Sequence, residues 1–138
     1  MQSTMNGLPV GLKWTFLISA IGGLGFAMSS MAAPDLVASL SGLPGKDMPV
    51  YQQAGAAILG YSVASFLSWR STKWDQVRIP IIFGLTFSAL SALGAFYYVV
   101  LKGVTTSALI AVLIFSAFLA VALGYYLVTM SKKEGGSH

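Results

Sequence analysis

Acids and histidines are the usual carriers of chemistry, and here they are few and scattered. The acids are Asp35, Asp47, Asp75 and Glu134, and the one histidine is the last residue, His138. General acid–base work and metal binding need two or three such groups converging on one point, and no spacing here brings them together. Cysteine is absent, which removes disulfides, thiolate metal sites, iron–sulfur ligation and cysteine nucleophiles. Without an internal histidine there is no bis-histidine haem site, leaving only Met or Tyr ligation. The glycines of Gly22-Gly23-x-Gly25 sit inside an apolar run with no lysine after them, so they do not form a phosphate-binding loop. The expectation is a protein without catalytic chemistry of its own, with no metal and no cofactor.

The polar groups inside the apolar stretches are neutral: Gln52, Gln53, Tyr61, Ser62, Thr86, Ser88 and Ser91. Hydroxyls in such surroundings bond back to their own helix or bridge neighbouring ones. A sharper alternative is a narrow polar track from Gln52 and Gln53 through Tyr61 to Ser88, passing a small neutral solute or ion. An ionisable residue inside a membrane span is by default a functional group. None occurs here, so proton-coupled transport through a buried carboxylate, and cation-coupled export, lack their central group.

The elements that must hold these residues follow from composition. Hydrophobic residues make up 56% of the 138, charged residues 9%, and the mean hydropathy is +0.77. A soluble domain carries about 25% charge, so lipid is the natural solvent. Spanning the hydrocarbon core takes about 20 apolar residues at ~1.5 Å rise each. Four runs qualify, at 14–33, 51–69, 79–101 and 107–130. The predicted fold is an all-α integral membrane protein forming a single domain over 1–138. Its architecture is a four-transmembrane-helix bundle, antiparallel up-down, with short loops. Lys102-Gly103-Val104-Thr105-Thr106 is a tight turn that makes the last two spans a hairpin, Pro80 falls in the first turn of the third span, and 131–138 is a flexible tail. Between the first two spans, Pro34 and Asp35 open an interfacial half-helix that Gly42 and Pro44-Gly45 stop; a lid or partner-docking loop is the alternative. Lys13 followed by an apolar run and the small-x-small Ser30-Met31-Ala32 also resembles a signal peptide. The full span length and the lack of a basic residue before Lys13 favour a retained helix.

Basic residues set the orientation. Lys13, Arg70, Lys73, Arg78, Lys132 and Lys133 fall on one side of a four-span layout, and Lys46 and Lys102 on the other. Excess Lys/Arg marks the cytoplasmic side, which predicts a multi-pass protein of the inner (plasma) membrane with both termini cytoplasmic. Trp14, Trp69, Trp74 and Tyr125-Tyr126 fall near that boundary, and Tyr51 and Tyr97-Tyr98 near the outer one, as aromatic anchors do. The loop that groups Trp69, Arg70, Lys73, Trp74 and Arg78 is a topology signal and headgroup anchor, or else a docking patch for anionic lipid or a partner protein. It is too short for a nucleic-acid site.

Small residues recur every fourth position: Ser19, Gly23 and Ala27; Ala56, Gly60, Ala64 and Ser68; Gly84, Ser88 and Ala92; Ser116, Ala120 and Gly124. Helices in lipid associate by close van der Waals contact, so these ridges predict tight packing with little room at the centre, or one ridge facing outward to mate with another copy or subunit. The functional expectation is an accessory or scaffolding component of a membrane assembly, or a self-associating membrane protein. The alternative is a small channel or carrier for a neutral or lipophilic solute. The expected partners are the bilayer and other membrane subunits or copies of the same chain.

Overall fold

Five α-helices and one π-helical turn account for nearly all of residues 7–42 and 48–135, which are the residues the computed structural model describes. Lys46, Asp47 and the Pro44-Gly45 stop lie outside them, as do the first six residues and 136–138.

Helix α1 (Val10–Ala32) starts behind Pro9 and is stopped by Pro34. The residue before a proline is pushed out of helical geometry; Ala33 accordingly breaks the helix at φ −139° and ψ 61°. The chain restarts at once as α2 (Pro34–Ser41), with proline at its first position and Asp35 in its first turn, where both are favoured. Gly42 ends it at φ +65°, a left-handed geometry that glycine adopts without a Cβ penalty. The half-helix anticipated between the first two apolar runs is this element.

Helix α3 (Met48–Arg70) closes on Arg70, a cation at the negative end of the helix dipole. Helix α4 (Trp74–Phe96) begins five residues before the position expected from the apolar run, because Asp75 in its first turn supplies a start signal. Pro80 therefore sits in the second turn instead of the first, where it forgoes one backbone hydrogen bond. The π-helical turn Tyr97–Leu101 follows, and Gly103 (φ +68°) reverses the chain. Lys102 covers the Tyr97 ring at 5.6 Å. Helix α5 (Ser107–Gly135) runs past Met130, where the apolar run ends; the supposed tail is helical through Gly135. Lys132 and Lys133 in its last turn suit the dipole, and Glu134 reaches Arg78 at 3.9 Å.

Three of these segments are long and apolar enough to cross a membrane: Val10–Ala32, Trp74–Leu101 and Ser107–Glu134. This is a membrane protein by that criterion. Helix α3 is as long as α1, 23 residues each, but is not among the three. Its two glutamines, its serines and Arg70 make it the most polar of the long helices.

Helix α1 packs chiefly on α3, and α4 on α5. Gly55 faces Ala27 and Ser30 while Gly23 faces Ile58 and Ser62, so the first pair is antiparallel. Gly84 faces Leu123 and Arg78 meets Glu134, so the second is too. At the basic end the pairs close on a core of Leu8, Leu12, Phe16, Val77, Ile81 and Leu123, with Trp69, Trp74 and Tyr126 packed against it. At the other end α2 ties the pairs together: the Thr106 hydroxyl, at the start of α5, donates to the Ser41 carbonyl at 2.9 Å. The small side chains bring the helices of each pair together, and a space open to the outside lies between the pairs, where the spacing of small residues predicts little room.

Candidate functional site

That space is a partly open cavity of about 580 Å³ bounded by α1, α3, α4 and α5. Glycine and alanine positions contribute to its walls. Gly22 and Gly23 form the α1 wall, and Ala108 and Ala111 part of the α5 wall. At Gly22 a Cβ would come 2.6 Å from the Phe115 ring, and at Gly23 it would collide with the Ser62 hydroxyl. Four aromatic rings line the cavity: Phe26, Tyr61, Phe87 and Phe115. Its other polar contributors are the hydroxyls of Ser19, Ser88, Ser91 and Ser116, and no ionisable carboxylate, amine or guanidinium lines it. A site of this size, largely apolar with a few placed hydroxyls, has the make-up of a small-molecule pocket.

Tyr61 is the side chain on which the site is assembled. It belongs to α3, is 5% exposed, and reaches across to α4. Its ring stacks on Phe87 at 5.5 Å and tilts against Phe83 at 5.9 Å. It fits because position 84 is glycine: a Cβ there would lie 2.8 Å from the Tyr61 oxygen. The Ser19 hydroxyl of α1 donates to that oxygen at 2.8 Å and lies 3.4 Å from the Ser65 hydroxyl. One phenol thus links α1, α3 and α4.

The sequence-derived residues fall into distinct places. Tyr61 and Ser88 do meet at the cavity, whereas Gln52 and Gln53 are exposed and do not line it. Of the small residues, Gly23, Gly84, Ser68 and Ser88 are buried, Ala64, Ala120 and Gly124 are half-buried, and Ala56 and Gly60 are exposed. Nothing lies within 4 Å of a Cβ built on Gly60. The edge of α3 that meets the rest of the chain is instead Gly55, Tyr61, Ser62, Ser65 and Ser68. Ser65, Phe115 and the full extent of that edge went unread in the sequence; the serines at 62, 65 and 68, three apart among apolar neighbours, were the available signal. At the basic end Arg70, Lys73 and Arg78 are exposed, but Trp69 and Trp74 pack on the core. The Trp74 indole nitrogen is buried and finds no hydrogen-bond partner among the described residues, so this tryptophan serves the interior as well as the boundary.

Comparison of the chain with protein-family models, with curated proteins and with solved structures gives no match.

Proposed function

We propose that this is a non-enzymatic membrane protein of four crossing helices whose role is to hold a lipophilic guest in the cavity between its two helix pairs. The observation that carries the reading is the cavity itself: about 580 Å³, ringed by four aromatic side chains and with no carboxylate, amine or guanidinium in its lining. In lipid such a space is filled by a molecule or by collapse, since interiors are otherwise close-packed. The apolar plug of Leu12, Phe16, Ile81 and Leu123 below it favours a holder or carrier over an open channel. Helix α3 completes the fourth crossing: at about 1.5 Å per residue its 23 residues reach ~35 Å, and its Ser62 and Ser65 are turned onto α1. With α3 crossing, Lys13, Arg70, Lys73, Arg78, Lys132 and Lys133 share one end, which the positive-inside rule makes cytoplasmic in an inner (plasma) membrane.

The test is to extract the purified protein with organic solvent and identify what is released by mass spectrometry. A stoichiometric lipophile is expected from the parent and a depleted one from Ala108→Phe, which fills the cavity. Identical extracts from the parent, the folded variant and protein-free membrane of the same composition would overturn the reading.

A second reading, an accessory or self-associating subunit, draws on the exposed Ala56 and Gly60 face of α3. Under it, Gly60→Leu yields a folded monomer that no longer associates in mild detergent. If Gly60→Leu fails to fold, or associates as the parent does, that reading falls.

A further inference from the structure

We infer that the guest is a neutral, ring-bearing lipophile carrying a hydrogen-bond acceptor such as a carbonyl oxygen, gripped by serine hydroxyls of α4 and α5. The inference rests on the preceding reading of the cavity as a binding site and adds the chemistry of what binds.

The argument starts from hydroxyl bookkeeping. A buried hydroxyl in an apolar helix normally bonds back to a carbonyl one turn earlier. Thr15 does so to Gly11, Ser62 to Ile58 and Ser68 to Ala64, all at 2.8–2.9 Å. Ser88 (2% exposed) and Ser116 (7% exposed) are equally buried and equally helical. No hydrogen bond to a described residue is found for either hydroxyl or for that of neighbouring Ser91, and unlike the sealed Ser30 oxygen all three are open to the cavity. All three line the cavity. Ser30 shares the lack of a partner but sits against Gly55 on the α3 side and does not line the cavity. Buried polar groups are satisfied in folded proteins, by the protein or by what it binds. Hydroxyls on the α4 and α5 walls therefore call for an acceptor on the guest, and the Tyr61–Ser19 pair places another hydroxyl cluster on the opposite walls.

Two further features narrow the class. The rings of Phe26, Phe87, Phe115 and Tyr61 line the cavity, and aromatic surface pairs favourably with a flat ring. No lining group carries a charge, so a carboxylate or ammonium on the guest would be buried unpaired, at high cost. A plain acyl chain fills volume but leaves the serines unsatisfied.

The experiment uses the full chain in lipid nanodiscs with tracer benzophenone as a photoreactive aromatic ketone. Labelled positions are read by peptide mass spectrometry. Two competitors of the same ring skeleton are compared: 9-fluorenone, which has the carbonyl, and fluorene, which does not. Saturable labelling is expected on peptides containing residues 84–91 and 108–119. Fluorenone should displace the tracer at a concentration about two- to tenfold lower than fluorene, the range of one net hydrogen bond. In Ser88→Ala/Ser116→Ala that preference should vanish, with fluorenone displacing the tracer no better than fluorene does. Ser88→Thr, which keeps a hydroxyl, should retain it and guards against a folding defect. Saturable labelling without the preference, or a preference that survives loss of both serines, overturns the inference and leaves the cavity reading standing. Absence of saturable labelling on these peptides overturns the cavity reading itself.

Discussion

Replacing Gly84 by alanine tests whether Tyr61 is the joint between the two helix pairs. The added methyl would lie 2.8 Å from the Tyr61 oxygen, 2.9 Å from its Cε2 and 3.0 Å from Leu123 Cδ1. Carbon contacts are optimal near 3.5–4.0 Å, so all three neighbours must yield. Tyr61 has little room, because Phe87 stacks on its ring and Ser19 holds its oxygen. Overpacking of this kind costs about 1–3 kcal/mol. Losing the Ser19 bond adds about 0.6–1 kcal/mol, the range for interhelical hydrogen bonds in membranes and net bonds in general. Alanine is a better helix former than glycine by up to about 1 kcal/mol, which offsets part of this and leaves a net loss of about 1–3 kcal/mol. Gly60→Ala isolates the offset: nothing lies within 4 Å of its new methyl, so it should be neutral or stabilising. The propensity term cancels between the two variants, and their stabilities should differ by about 2–4 kcal/mol, equivalent to ~30- to 1,000-fold in the unfolding constant. Titrating detergent micelles with a denaturing detergent, with helicity as the readout, measures this. A difference under about 0.5 kcal/mol, or a Gly60→Ala variant as unstable as Gly84→Ala, would refute the reasoning.

Other substitutions probe the remaining joints. Gly23→Ala drives a methyl into the Ser62 hydroxyl and should destabilise the α1–α3 pair by about 1–3 kcal/mol; adding Ser62→Ala should recover part of the loss in the same unfolding assay. Arg78→Ala breaks an ion pair whose side chains are 54% and 49% exposed, and should change stability by less than about 1 kcal/mol. The cysteine-free chain suits accessibility mapping. Single cysteines at Ser39 and Lys102 should react with an impermeant maleimide from the outside, and one at Thr72 only from the cytoplasmic side. Labelling of Ser39 and Thr72 from the same side would rule out a crossing by α3.

How much of this was legible depends on which physical term controls each feature. The breaks at Pro34, Gly42 and Gly103 and the end of α3 at Arg70 were readable because each is a local backbone or dipole effect. The start of α4 and the end of α5 were misplaced because apolar runs mark where a helix meets lipid, not where it ends. Asp75 extends α4 before its run, and Lys132 and Lys133 carry α5 beyond its own. Of the candidate site, Tyr61 and Ser88 could be singled out as polar residues among apolar ones. Their meeting could not, since it depends on Phe83, Phe87 and Gly84 of another helix. The cavity was illegible for a related reason. Spacing of small residues says that a helix can be approached closely, but not by which neighbour. Gly23 is closed by Ser62, whereas Gly60, equally well placed in its ridge, faces open space.

On the proposed reading of four crossings, helix α3 shows why composition and position in the membrane can part company. Hydropathy assigns each polar side chain the cost of meeting lipid, whatever it meets in the fold. In α3 the hydroxyls of Ser62 and Ser68 are closed on their own helix, and Ser65 sits 3.4 Å from Ser19. The residues that keep α3 from being apolar enough to stand alone thus include the ones that fix it to α1. An unsatisfied polar group in hydrocarbon costs several kcal/mol, so a helix of this kind enters lipid most readily with its partner already beside it. Breaking the Ser19–Tyr61–Ser65 cluster should then disturb α3 more than α1, whose own sequence suffices to span. Ser19→Leu tests this: the Thr72 cysteine should lose its one-sided labelling while one at the exposed Val10 keeps it. Equal loss at both positions would show that the pair inserts or fails as one unit.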